Sequence, residues 1–178
     1  MHTKNGGKQM HTFQEVKYDE ISTDPYRVSD NRWMLVTSVN GDKVNMLTAS
    51  WGGSGVIWGK RCAFIFIRKS RYTREFIEAS NVFSLSFLNQ EKYHGAMKYI
   101  GTVSGRNEDK LAGSRLSIGY DKEIPYIDEA EFVMECRVLY KQEMGEAGFL
   151  IPEYISKFYP DKDFHVLYIG EIEKMIAR

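Results

Sequence analysis

The sequence predicts a mainly β chain, an antiparallel barrel carrying a few short helices. Three observations lead there. Short runs rich in β-branched and aromatic residues recur between residues 33 and 175. Few of the segments between them keep apolar residues at helical spacing. The connections between successive runs are short, as antiparallel neighbours allow, whereas a doubly wound sheet needs a crossover helix between its strands.

In chain order, residues 1–30 are polar, and Asp24-Pro25 and Ser29-Asp30-Asn31 are breaker signals, so an arm is expected over 1–30 and one domain over 31–178. Strands are expected over 33–39, 44–51, 62–68, 81–88, 130–140 and 165–175. Between the first two, Asn40-Gly41-Asp42 supplies the positive φ angles of a tight primed hairpin turn. A helix is expected over 70–79, with Ser70 as its cap, acidic residues in reach of basic ones, and Tyr72, Phe76 and Ala79 at helical spacing. A second is expected over 90–100 with Gly101 as its C-cap, and a short third over 151–159, between Pro152 and Pro160.

Composition narrows the function. The 178 residues, 43% of them hydrophobic, suffice for one domain with a substantial core. Lys and Arg number 24, as do Asp and Glu, so the formal net charge is zero. That balance argues against nucleic acid or an anionic membrane as partner, and makes any phosphate recognition a local matter. Cys62 and Cys136 lack CxxC spacing and lie in apolar runs, as buried reduced thiols do. His2, His11, His94 and His165 form no HxH or HExxH spacing, so no structural metal is expected. The polar start lacks the apolar stretch of a signal peptide, and the longest apolar run, residues 62–67, falls far short of the ~20 residues a bilayer requires. A cytoplasmic location is therefore expected. The 13% aromatic content exceeds what one small barrel needs inside, which points to an interface between copies and hence a homodimer.

Two glycine-rich segments resemble phosphate loops and fail on chemistry. Residues 54–61, Ser-Gly-Val-Ile-Trp-Gly-Lys-Arg, put serine at the first P-loop glycine and arginine at the metal-binding Ser/Thr, and they enter a strand where a P-loop enters a helix. Gly53-Ser54-Gly55 lacks the third glycine of a dinucleotide fingerprint. No serine sits in a GxSxG elbow, so a nucleophilic hydrolase is unsupported. Residues 67–73, Ile-Arg-Lys-Ser-Arg-Tyr-Thr, differ: basic side chains, hydroxyls and helix N-terminal amides converge where a strand gives way to a helix. They read either as a phosphate pocket or as a capped helix start with its charges in water.

Four motifs occur together in order: Asn-Met-Leu-Thr-Ala-Ser-Trp at 45–51, Ile-Arg-Lys-Ser-Arg-Tyr-Thr-Arg-Glu-Phe-Ile at 67–77, Phe-Ser-Leu-Ser-Phe-Leu at 83–88 and Ser-Gly-Arg-Asn-Glu-Asp-Lys at 104–110. In that order and spacing the chain resembles the flavin reductase-like proteins from about residue 32 to 172, and their flavoredoxin branch most closely. The resemblance implies an antiparallel split β-barrel that binds FMN, usually as a homodimer with one flavin per subunit near the interface. It further implies that Arg68, Ser70, Tyr72 and Thr73 hold the FMN phosphate and that Asn45, Met46, Thr48 and Ser50 line the flavin. Ser86, Phe87 and Leu88 would contact the ring or ribityl chain, and Ser104, Gly105, Arg106 and Lys110 would close the site. Strand alternation puts Met46, Thr48 and Ser50 on one face of the second strand, either against a flavin edge or toward solvent. In two places the chain departs from the family pattern. Asn107 stands where many relatives have aspartate, and Asp163-Phe164-His165 replaces the Gly-Asp-His linked to nicotinamide binding. His165 is then either a nicotinamide-side residue or a structural histidine opening a strand.

The expected function is that of an oxidoreductase passing electrons from NAD(P)H through bound FMN to an acceptor the sequence does not identify. The alternatives are an FMN electron carrier reduced by a redox partner protein, and a flavin-binding regulator without turnover. The flavin supplies the redox chemistry in the first two, so no catalytic acid or base need be legible.

Overall fold

The computed structural model describes residues 10–17 and 33–178. Most of the expected arm, with both breaker signals, lies outside the described residues. The stretch 10–17 carries a two-residue strand, β1 (Gln14–Glu15), paired with the end of the last strand. There His11 Nδ1 meets an Asp128 carboxylate oxygen at 2.9 Å, and Phe13 packs edge-on against Tyr126.

The domain then runs β2 (Met34–Asn40), β3 (Lys43–Ala49), β4 (Gly52–Ile57), β5 (Lys60–Arg68), α1 (Thr73–Ser80), β6 (Val82–Phe87), α2 (Gln90–Thr102), α3 (Lys110–Ser114), β7 (Ile118–Asp121), β8 (Ile124–Ile127), β9 (Phe132–Glu143), α4 (Glu153–Phe158) and β10 (His165–Ala177). The main sheet has the order β3-β2-β6-β9-β10-β5-β4, with β1 on β10, while β7 and β8 form a separate hairpin. Every paired ladder is antiparallel.

The two ends of this sheet are consecutive in sequence. Only Ser50 and Trp51 separate β3 from β4, and such a link spans at most ~11 Å. The sheet must curl until its ends face each other, yet they do not pair. The result is the antiparallel barrel that the sequence predicts, split as the family resemblance implies, and its split lies at Ser50 and Trp51.

Strand alternation fills two cores. Met34, Val36, Leu47, Ile65, Phe83, Leu85, Met134 and Tyr168 pack together as one buried cluster. Leu35, Met46 and Val133 have the opposite parity, and they bury against Met97 and Ile100 of α2 and Ile127 of β8. Thus β3 contributes alternate residues to both clusters. Cys62 and Cys136 are buried thiols. Among the described residues no helix is long and apolar enough to cross a membrane.

The structure corrects several local expectations. In the β2–β3 turn Gly41, not Asn40, takes the positive φ (61°), and Asp42 after it does not, which is the type II′ pattern. Residues 54–61 form a β-hairpin turning at Trp58 (φ 54°) and Gly59 (φ 71°), so the apparent phosphate loop is strand and turn. Ser70 does not cap α1. The helix starts at Thr73 with Tyr72 in the cap position and no side-chain cap, and the Ser70 hydroxyl, two residues earlier, is bonded to Asp163. Gly101 lies inside α2, which ends at Thr102. A Cβ there would come within 3.2 Å of Thr48, so close packing on β3 accounts for the glycine.

Candidate functional site

Two clefts flank the start of α1, and β3 runs along both. The first, about 240 Å³, opens at the split of the barrel and is lined by Leu47, Thr48, Ala49, Ser50, Trp51, Phe66, Ile67, Arg68, Arg71 and His165. The second, about 580 Å³, continues from Asn45 and Met46 past Tyr72, Gly105, Arg106 and Lys110 to Lys43 and Tyr120.

The basic residues between strand and helix divide by partner. Arg68 donates to the carbonyls of Asp163 (3.0 Å) and Phe158 (2.9 Å) and lies over the Tyr159 ring. Ser70 gives its amide and hydroxyl to the two Asp163 carboxylate oxygens, at 3.1 and 2.6 Å. Arg68 and Ser70, both expected on a phosphate, therefore bind the segment between α4 and β10 instead. Asp163, 93 residues away in sequence from Ser70, occupies the anion position at that turn.

Arg71 and Lys110 are placed differently. Arg71 donates to the carbonyl of Gly101 at 2.8 Å, and Lys110, 6% exposed, donates to Met46 and Ile100 carbonyls at 2.8 and 2.9 Å. Neither makes an ion pair with a described carboxylate. Burial and the neighbouring Arg71 push Lys110 down to about 8, while burial and then Arg68 lower Arg71. Ile100 and Gly101 belong to the last turn of α2, whose carbonyl end carries roughly half a negative charge. That and the field of Asp163 on Arg71 offset only part of the charge of a buried Lys110 and a half-buried Arg71, and burying charge without a full counterion is costly. The deficit matches a phosphate monoester, which carries about −1.5 to −2 at neutral pH. The residues present therefore fit the phosphate of a flavin mononucleotide.

The remaining predicted residues assemble around this pair or away from it. Asn45 donates to the Thr73 hydroxyl at 3.1 Å, and a Cβ on Gly105 would come within 2.2 Å of the Asn45 oxygen, so the 104–106 loop closes on β3 only with glycine there. Arg106 stacks over Tyr72 at 4.3 Å and pairs with Glu75. The Ser104 hydroxyl accepts the Arg106 amide. Thr48 donates to the Met97 carbonyl and Met46 is buried against α2, so of that row only Ser50 is left bordering the first cleft without such a tie. Ser86 is fully buried and accepts the Ile127 amide, Phe87 stacks on Phe132, and Leu88 packs in the second core. These three hold β8 and β9 to β6, apart from the residues that gather around α1.

His165 is buried, with Nδ1 2.8 Å from the Tyr159 hydroxyl and its ring 4.9 Å from that of Trp51. Burial, then Arg68, drives it down to about 4, so it is neutral at physiological pH. Arg71, Trp51 and Asp163 carry much of this geometry; sequence reasoning counted Arg71 only among the basic side chains of the 67–73 phosphate candidate and gave Trp51 and Asp163 no role. Arg71 and Trp51 do lie within the motifs at 67–77 and 45–51.

A family model described as the flavin reductase like domain matches residues 30–178. A protein of Archaeoglobus fulgidus described only as uncharacterised is 27% identical over 131 residues, 72% of each chain. Among solved structures, an FMN-binding domain of a flavin reductases-like enzyme from Shewanella baltica aligns over 96% of this chain and 79% of its own, with TM-score 0.69 and 17% identity. Flavoredoxin from Methanosarcina acetivorans aligns over 83% and 68%, with TM-score 0.65 and 21% identity. Flavoredoxin of Desulfovibrio vulgaris aligns over 100% and 77%, with TM-score 0.64 and 20% identity. At these identities the likeness is one of fold.

Proposed function

The chain belongs to the flavin reductase-like domain family, and on that premise we propose that it binds FMN along β3 and acts as an NAD(P)H-dependent flavin oxidoreductase. The observation carrying this reading is the pair Arg71 and Lys110, cations with no ion-pair partner among the described carboxylates, Arg71 lining the cleft that opens at the barrel split and Lys110, whose charge acts on Arg71, lining the neighbouring one. Arg71 and Lys110 would hold the phosphate, and Thr73, Asn45 and Gly105 would shape its surroundings. Leu47, Thr48, Ala49, Ser50, Trp51 and His165 would wall the redox-active ring. The flavin, when bound, supplies the two-electron chemistry, accepting hydride and passing electrons on.

The protein's own part is to bind, orient and exclude water. Neutral His165, tied to Tyr159 and packed at a tilt against Trp51, offers a hydrogen-bonding wall on the proposed nicotinamide side and no mobile proton at neutral pH. Arg68 and Ser70 position the segment after α4, which carries Tyr159 and Phe158 to the rim of the same cleft. Self-association is part of the proposal. Leu150 (95% exposed), Ile151 and Tyr154 form an apolar rim beside a cavity lined by Phe66, Phe149 and Leu167, a surface suited to a second copy of this chain.

Anaerobic stopped-flow mixing of flavin-loaded protein with NADH and NADPH tests the activity. The bound flavin is expected to bleach faster than free FMN, and His165→Ala to slow bleaching without releasing flavin. Bleaching no faster than that of free FMN with either nucleotide would leave the electron-carrier reading in its place.

A further inference from the structure

We propose that a third cleft, between the β7–β8 hairpin and the β9–β10 ladder, binds a small primary alkylammonium ion seated on the carboxyl of Glu135. It shares no lining residue with either cleft beside α1, so the inference stands apart from the flavin reading. The cleft measures about 280 Å³, and Glu135 of β9 lines it. Glu135 is 3% exposed, and its Oε1 is buried with no hydrogen-bond partner among the described residues. A buried acceptor left unmatched is costly. Asp121 of β7 stands beside it as a second carboxyl whose charge opposes its ionisation.

The cations lining the cleft are already engaged. Lys174 of β10 donates to Asp121 at 2.6 Å and lies 3.9 Å from Glu15 of β1. Arg137 of β9 pairs with Glu123 at the hairpin turn and with Glu173 of β10. Lys122, at the same turn, acts on Asp121. Five carboxyls thus face three cations, and none of the three reaches Oε1. The Tyr126 hydroxyl of β8 and the Cys136 thiol of β9 complete the titratable groups in the field of Glu135. A primary ammonium brings three N–H donors and one positive charge. One donor can take Oε1, while the charge offsets the repulsion between Glu135 and Asp121. The volume, just below the ~300–1,000 Å³ of larger ligand sites, suits a short alkyl chain with Ile124 beside it. A metal ion fits less well, because among the described residues no three acidic, histidine or cysteine side chains converge as ligands.

Calorimetric titration of the full chain with n-butylamine at constant ionic strength tests the assignment. Saturable binding is expected, with a Kd of roughly 1 mM or below. The Glu135 carboxyl is raised to about 7. Affinity should therefore grow about tenfold between about pH 6 and about pH 8 as Glu135 ionises, while the amine stays charged throughout. Glu135→Gln keeps the shape and removes the charge. It should weaken binding at least about tenfold at the higher pH and abolish the pH dependence, and n-butanol should bind neither protein. Absence of saturable butylamine binding, binding unchanged in Glu135→Gln, or equal binding of n-butanol overturns the proposal. A flat pH profile of the wild type overturns it as well, whether or not the variant folds. Magnesium binding more tightly than the amine, in a manner lost in Glu135→Gln, would make the cleft a metal site and the ammonium assignment would fall.

Discussion

Lys110 keeps an ammonium group 6% exposed against two backbone carbonyls, with Arg71 beside it and no described carboxylate paired to either. Such a site should be sensitive to pH in the direction of its own depressed value. FMN affinity is expected to fall as pH rises through about 8, where Lys110 loses its charge, and titrations of Lys110→Met should show weaker binding without that fall. Two further buried groups shape stability in opposite senses. His165 is pushed from 6.5 to about 4, so the unfolded chain binds the extra proton and stability drops as pH falls from 6.5 to 4. Glu135, 3% exposed, is pushed from 4.5 to about 7 by burial and by Asp121, so the folded chain binds the extra proton and stability drops as pH rises from 4.5 through 7. Each contribution is on the order of 3 kcal/mol, and over the shared window they cancel. Urea unfolding of Glu135→Gln should therefore show stability rising with pH between 4.5 and 6.5, where the wild type stays nearly flat. A parallel slope in both proteins would contradict this.

At the scale of elements, β10 is held by a residue with no side chain. Gly170 sits at a register shift between β10 and β9, and a Cβ there would lie 2.7 Å from the Phe83 ring and 3.1 Å from Cys136 Cβ. Both neighbours are fully buried. Gly170→Ala is expected to destabilise by ~1–3 kcal/mol through overpacking, measurable as a lower urea midpoint. A neutral effect would mean that the barrel interior yields more readily than its packing indicates. The six long strands were legible because β-branched and aromatic runs mark them directly. Strand β4 was not, since Gly-Gly-Ser-Gly has little strand propensity of its own and is held by pairing with β5. The β7–β8 hairpin and α3 escaped as well: their strands are four residues long, one contains Pro125, and the helix is a five-residue turn. The site was legible to the same depth. The segment 67–73 stood out by composition, but its cations are sorted by contacts distant in sequence. Asp163 claims Ser70, the end of α2 claims Arg71, and no local pattern announces either.

At the scale of the molecule, the short link between β3 and β4 closes the sheet into a barrel and sets its split beside the candidate cleft, so fold and site follow from one topological fact. The apolar rim at Leu150, Ile151 and Tyr154 predicts a dimeric mass by light scattering at micromolar concentration, and Leu150→Glu should shift the population toward monomer. A monomeric wild type with flavin bound would remove self-association from the account. The central claim, a flavin phosphate held by Arg71 and Lys110, is tested most directly by titrating apoprotein with FMN and riboflavin, wild type against Arg71→Ala. Two charge-assisted hydrogen bonds at roughly 1.5–3 kcal/mol each make FMN the tighter ligand by about a hundredfold or more. Arg71→Ala should lose most of that margin while binding riboflavin as the wild type does. Equal affinity of the wild type for the two flavins would contradict the account.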